Sequence, residues 1–218
     1  MIGLLGFFGS SIGKKVVMAA SGILLFGFVV AHMLGNLQVY LGPTKLDEYG
    51  AALRRVPALL WAARLVLMAA AAAHAWSAYA LTRMSWAARP QGYRLWRSRE
   101  STYASRTMRW TGVFLLVFIV YHLLHFTTGA VHPSFVAGRV HHNFVAGFRV
   151  LPVSLFYLAA MACLGLHLYH GVWSMLQTLG LSHPRWNRLR FGFSTLMTLV
   201  VVIGNISIPV AVITGLVR

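Results

Sequence analysis

Six histidines of this chain fall inside long apolar stretches: His32, His74, His122, His125, His167 and His170. An imidazole in hydrocarbon brings polar nitrogens that need partners, and an unsatisfied one costs roughly a few kcal/mol. Two of them sit three residues apart in L-G-L-H-L-Y-H-G-V-W-S, Leu164 to Ser174, and two more in Y-H-L-L-H-F-T, Tyr121 to Thr127. A single histidine of this kind commonly packs against a neighbouring helix and bonds a carbonyl. A set spread over four successive stretches suits metal ligation.

The elements that must position them follow from hydropathy. Of 218 residues, 58% are hydrophobic and 10% charged, and the mean hydropathy is +0.69. Apolar residues gather into five runs, at about 16–41, 57–82, 110–131, 151–178 and 191–217, each meeting the roughly 20-residue length of a membrane-spanning helix. Backbone groups in lipid must be satisfied internally, so these runs are expected to be helices. The first run is too long for a signal-peptide core, no small-residue cleavage site follows it, and it is expected to remain as a span. The expectation is one polytopic, all-α membrane domain over residues 1–218, with no internal repeat and no low-complexity tail.

Charge sets the expected orientation. With the N-terminus in the cytoplasm, that side collects Lys14, Lys15, seven arginines between Arg83 and Arg109, and Arg185, Arg188 and Arg190. These are twelve of the 19 Lys and Arg residues, against seven elsewhere. The positive-inside rule then keeps the N-terminus inside and sends the C-terminus out. The net charge of +16 is thus a matter of topology and not of nucleic-acid binding, and the basic 83–109 stretch also offers a surface for a partner or anionic membrane lipid.

Depth follows from a rise of about 1.5 Å per residue. His32 lies about 24 Å along the first span and His122 about 18 Å along the third, both entering from the cytoplasm. His74 and His167 lie about 25 Å along spans that enter from outside. The result is an outer pair on spans one and three and an inner pair on spans two and four. Neutral imidazoles on two helices can ligate one haem iron from opposite faces, so this pattern suits two stacked b-type haems. Four histidines at two depths cannot close one zinc tetrahedron. Small neighbours, namely Ala70, Ala71, Ser77 and Ala78 around His74, Gly171 by His167 and Gly35 by His32, offer room for a flat ring or for close helix packing. Depth alone does not choose between His122 and His125, or between His167 and His170. His132, His141, His142 and His183 read as solvated loop residues.

The single cysteine, Cys163, excludes a disulfide framework and covalent haem attachment through C-x-x-C-H. The acidic residues Asp47, Glu48 and Glu100 all fall in expected loops, whereas proton pumps and ion transporters usually keep a carboxylate at membrane depth. The chain has no FAD fingerprint and no set of cysteines for an iron–sulfur cluster.

The stretches G-K-K-V-V-M-A-A-S-G, H-M-L-G-N-L-Q-V-Y-L-G-P, R-W-T-G, Y-H-L-L-H-F-T and H-L-Y-H-G-V-W-S-M-L-Q-T-L-G together resemble the cytochrome b membrane-anchor subunit of succinate dehydrogenase and fumarate reductase. The likeness is to the single-chain, five-helix, di-haem type and runs from about residue 10 to 180. It implies a five-helix bundle around two haems b, with His32 and His122 as axial ligands of the outer iron and His74 and His167 of the inner. The aromatic residue before the ligand selects His122, and the H-x-x-x-G-x-W-S element selects His167. His170 is left to bond a carbonyl, a haem propionate or a quinone.

The resemblance further implies a quinone-reactive subunit of respiratory complex II in the inner (cytoplasmic) membrane, anchoring an FAD-containing flavoprotein and an iron–sulfur subunit. Menaquinone or ubiquinone would bind near the outer haem. Some relatives use a carboxylate there, for which Glu48 is the candidate beside Asp47, a solvated loop pair being the plainer reading. Some also carry a membrane-embedded Glu just before the span-four ligand, where this chain has Gly165 and Leu166. Competing readings are the cytochrome b of a quinone-linked hydrogenase or formate dehydrogenase, a histidine-lined transporter, and a haem-free anchor.

Overall fold

Local chemistry marks where the helices begin. Ser10 precedes the helix Ser11–Asn36 and its side chain accepts from the Gly13 N–H at 3.0 Å, and Thr102 caps the helix Tyr103–His122 through the Ser105 N–H at 3.1 Å. Pro43 and Pro57 open the helices Pro43–Arg54 and Pro57–Ala87 at the first helical position, where the missing N–H would have no helical partner anyway. Gly42, at φ +93°, makes the sharp entry to the helix that Pro43 opens, which a side chain would oppose.

The structure is a computed structural model that describes residues 3–89, 91 and 101–218. In chain order the helices are α1 (Leu4–Gly9), α2 (Ser11–Asn36), α3 (Pro43–Arg54), α4 (Pro57–Ala87), α5 (Tyr103–His122), α6 (Val140–Phe148), α7 (Leu151–Thr178) and α8 (Asn187–Ile213). A 3-10 segment, Leu37–Leu41, extends α2, a π-helical segment, Leu123–Thr127, extends α5, and a short 3-10 turn, Pro184–Trp186, leads into α8. No strand occurs among the described residues. Five helices are long and apolar enough to cross a membrane: Ser11–Leu41, Pro57–Ala87, Tyr103–Thr127, Leu151–Thr178 and Pro184–Ile213.

Span four falls where hydropathy puts it, but spans one, three and five begin four to seven residues early at their basic ends, span two runs on by five there, and spans three and five end four residues short, at Thr127 and Ile213. Helical backbone needs no apolar side chains once past the hydrocarbon, so Ser11–Lys15, Arg83–Ala87 and Tyr103–Arg109 continue their helices. Asp47 and Glu48 lie on helix α3 and not in a loop. Glu100 and the arginines at 94, 97 and 99 lie outside the described residues.

The helices form two groups. α4 packs along α2, and α7 packs against both α5 and α8. The groups touch where α2 meets α7 and α8, while α4 with α7 and α2 with α5 are not among the closely packed helix pairs. At the end opposite the basic residues, α3 and α6 pack together over the bundle. The main apolar cluster lies beneath them and joins Val39, Leu46, Phe118, Phe144, Phe148, Tyr157 and Ile208.

Candidate functional site: paired histidines between two helix groups

The rings of His74 on α4 and His167 on α7 face each other at 6.2 Å between centroids, tilted by 56°. Nearer the other end of the bundle, His32 on α2 and His122 on α5 meet at 5.7 Å, almost perpendicular at 88°. Both pairs join helices that do not pack closely. Each pair therefore spans the seam between the groups.

Hydrogen bonds fix which nitrogen each ring presents. Met18 O accepts from His74 Nδ1 at 3.1 Å, and since a carbonyl can only accept, the proton is on Nδ1 and the Nε2 lone pair is free. Ser21 Oγ lies 3.3 Å from the same nitrogen. Thr111 Oγ1 donates back to its own helix at Thr107 O or Met108 O, 3.2 and 3.1 Å away. It can then accept from His167 Nδ1, 3.4 Å away, which leaves the Nε2 of His167 free. Orientation of a ligand imidazole through its other nitrogen is the usual support of a metal site.

The two inner histidines are held by equivalent pairs of residues on neighbouring helices. Ser21 bonds His74 while Gly22 lies beside it, a Cβ there falling 3.5 Å from His74 Cε1. Thr111 bonds His167 while Gly112 lies beside it, a Cβ there falling 3.6 Å from His167 Cε1. Gly22 and Gly112 are thus the small residues against the rings. Gly171 has nothing within 4 Å of a built Cβ, and at Gly35, also expected to serve a ring, the space is filled by Tyr49. These holding residues were missed as site residues, although Ser21–Gly22 and Thr111–Gly112 stand in the quoted A-A-S-G and R-W-T-G stretches.

The outer pair is built differently. Tyr157 OH stands 3.2 Å from His122 Nδ1 and 3.1 Å from His125 Nδ1. Asn36 Nδ2 lies 3.1 Å from His32 Nε2 and donates to it, so ligation through that nitrogen requires Asn36 to release it. His125 is fully buried, its Nε2 lacking a partner among the described residues, and its ring stacks on His132 at 4.7 Å. His170 lies one turn beyond His167, with its ring 6.1 Å from Trp173.

Of the four histidines expected to be solvated loop residues, His141 and His142 lie on α6, and His132 and His141 are not solvated. His132 is half-buried and its Nε2 donates to Asn143 O at 2.9 Å, because the chain folds back over His125. His141 is 7% exposed, because α6 lies against α3, and its backbone N–H donates to Asp47 Oδ1 at 2.9 Å. His142 contacts Ser134 O at 3.1 Å, and His183 is exposed. Glu48 is exposed and pairs with Lys45 at 3.4 Å, a surface contact of little energetic weight.

The donor set fits a haem better than a bare ion. No group of three or more His, Cys, Asp or Glu able to hold a metal ion occurs among the described residues. Imidazoles opposed in pairs, with free Nε2 lone pairs on the inner two, suit an iron that already has four ligands from a macrocycle. One turn from His74 on α4, Ser77 is 0% exposed and its Oγ has no partner among the described residues.

A family model described as the succinate dehydrogenase/fumarate reductase transmembrane subunit matches residues 88–204. The chain belongs to this family. The matched segment carries His122, His125, His167 and His170, whereas His32 and His74 precede it. No curated protein and no solved structure matches the chain significantly. Membership makes this a membrane subunit of the succinate dehydrogenase/fumarate reductase complex.

Proposed function

We propose that this subunit is a di-haem cytochrome b passing electrons between the iron–sulfur subunit of a succinate:quinone oxidoreductase and membrane quinone. The observation that carries the reading is the opposition of His32 to His122 and of His74 to His167 across the seam. Bound haem iron supplies a one-electron carrier, which none of these side chains provides. His74 and His167 hold the inner group through Nε2, with Met18, Ser21 and Thr111 fixing the rings. His32 and His122 hold the outer one, with Tyr157 orienting His122 and Asn36 released from His32.

The reading extends to the complex. The flavoprotein and iron–sulfur subunits dock at the basic end, which faces the cytoplasm, and the inner pair is the nearer to them. Quinone is reached from the outer pair. Glu48, exposed and paired with Lys45, carries none of this proposal.

Haem counting with reduced-minus-oxidised spectra tests it. The wild-type chain should bind two haems b, and His74→Ala, His167→Ala, His32→Ala and His122→Ala should each lose one. His125→Ala and His170→Ala should keep both. A chain purified without any reducible b-type spectrum sinks the reading, and unchanged haem content in the four ligand variants sinks the assignment.

A further inference from the structure

Arg64 is the one Lys or Arg within the five apolar runs of the sequence. It comes seven residues after Pro57, so α4 has risen about 10 Å before reaching it. Its guanidinium lies over the Trp61 ring, 5.0 Å from the centroid, and has neither a hydrogen bond nor an ion pair among the described residues. An ionisable side chain at membrane depth is costly alone and as a rule has a partner. None of the three carboxylates of the chain meets it. Asp47 accepts from the His141 N–H, Glu48 pairs with Lys45, and Glu100 follows the far end of α4 in the sequence.

The missing anion must therefore come from outside the chain, and the neighbours of Arg64 show from which side. Trp61, 57% exposed, shares one face of α4 with the exposed Leu65 and Met68, at the i, i+4 and i+7 spacing of a helical stripe. The buried residues of α4, Ala70 and Ser77, lie on the opposite face. In a membrane subunit the exposed apolar stripe meets lipid. Trp61 is also roughly 140° around the helix from His74, so the stacked guanidinium is drawn away from the seam and from any haem propionate there. Arg54 and Arg55, exposed at the end of α3, stand just ahead of Pro57 and add positive charge.

We infer that this face of α4 binds an anionic phospholipid of the leaflet at the α3 end, with its phosphate on Arg64 and an acyl chain along Leu65 and Met68. The site is continuous with the lipid-facing surface of the span and complementary to phosphate in charge. A guanidinium offers paired N–H donors that match two phosphate oxygens, and an indole suits the boundary between headgroup and hydrocarbon. Phosphatidylcholine carries its own cation beside the phosphate, so a headgroup of net negative charge is the better partner for an unpaired arginine. The inference needs the membrane assignment and none of the haem ligands.

Photo-cross-linking of the full-length chain in phosphatidylcholine nanodiscs, doped with a phosphatidylglycerol that carries a diazirine in its acyl chain, tests the site. Label should be enriched on peptides within 57–68. It should fall about 10-fold in Arg64→Gln, as for loss of a charge-assisted hydrogen bond, with Arg64→Lys between the two. Trp61→Leu should lower it about 3-fold, the worth of an exposed cation–π contact. Diacylglycerol with the same diazirine chain should show no enrichment there. Equal labelling by the two probes overturns the inference and leaves Arg64 reaching for water, and unchanged label in both Arg64→Gln and Trp61→Leu overturns it too. So does a shifted haem midpoint potential in Arg64→Gln with label unchanged, which assigns the arginine to the seam. Haem absorbance on the same samples separates the proposals: two haems without enriched label at 57–68 sink only the lipid site, and enriched label without a haem spectrum sinks only the di-haem reading.

Discussion

The phenol oxygen of Tyr157 stands 3.2 Å from His122 Nδ1. The same oxygen is 3.1 Å from His125 Nδ1, and a phenol has one proton to give. If His122 presents Nε2 to iron, its Nδ1–H donates to Tyr157, whose O–H then donates to His125. The proton of His125 is left on its buried Nε2, the atom that lacks a partner. Tyr157→Phe should therefore retain the outer haem but hold it roughly 10–100-fold less tightly, as for loss of a supporting contact to a metal ligand. Haem titration of the variant checks this, and unaltered affinity together with an unaltered midpoint potential would separate Tyr157 from the site.

Gly22 and Gly112 leave the inner rings just enough room, with a built Cβ in ordinary contact at 3.5 and 3.6 Å. Alanine should be tolerated at either position. Leucine should push the adjoining imidazole out of line and cost the inner haem while the outer one stays. Haem stoichiometry of Gly22→Ala, Gly22→Leu and the corresponding Gly112 variants is the measurement. Two haems in both leucine variants would show that these glycines serve only helix packing.

The outer cap should loosen in acid. Burial lowers the pKa of His141 below its ordinary 6.5, the Asp47 carboxylate opposing this less strongly. Since the unfolded chain then binds the proton more readily, stability rises with pH; the contribution is complete above about 6.5 and fades as pH falls below it. Protection factors of the α6 amides, which take out the slowing of intrinsic exchange in acid, should fall between pH 7 and 5, and His141→Gln should flatten that dependence. Asp47 also accepts from the His141 N–H, in a helix whose own N-cap residue, Arg139, provides no side-chain bond. Asp47→Ala should cost about 1 kcal/mol, read as faster exchange in α6 at every pH.

Orientation is open to labelling in a Cys163→Ala background. A cysteine at Ser134 should react with an impermeant maleimide from outside, and one at Ser98, which lies outside the described residues, from the cytoplasm. Reaction from the opposite sides would reverse the chain and exchange the names of the inner and outer pairs.

Much of this protein follows from its sequence alone. Apolar runs long enough to span a bilayer specify five helices, because lipid leaves the backbone no other means of satisfying itself. The helical rise fixes the heights of His32, His74, His122 and His167, so the two levels were legible without coordinates. Lateral relations were not. Hydropathy reports depth and not azimuth, so it cannot tell that Ser21 and Gly22 meet His74, or that Thr111 and Gly112 meet His167. Nor could it tell that Tyr157, from the fourth span, would bridge His122 and His125 on the third. His141 reads as a polar loop residue because its burial depends on α6 lying against α3, a contact between segments about ninety residues apart. Only the packing of helices distant in sequence decides which nitrogen each imidazole presents, and that decides what the histidines can hold.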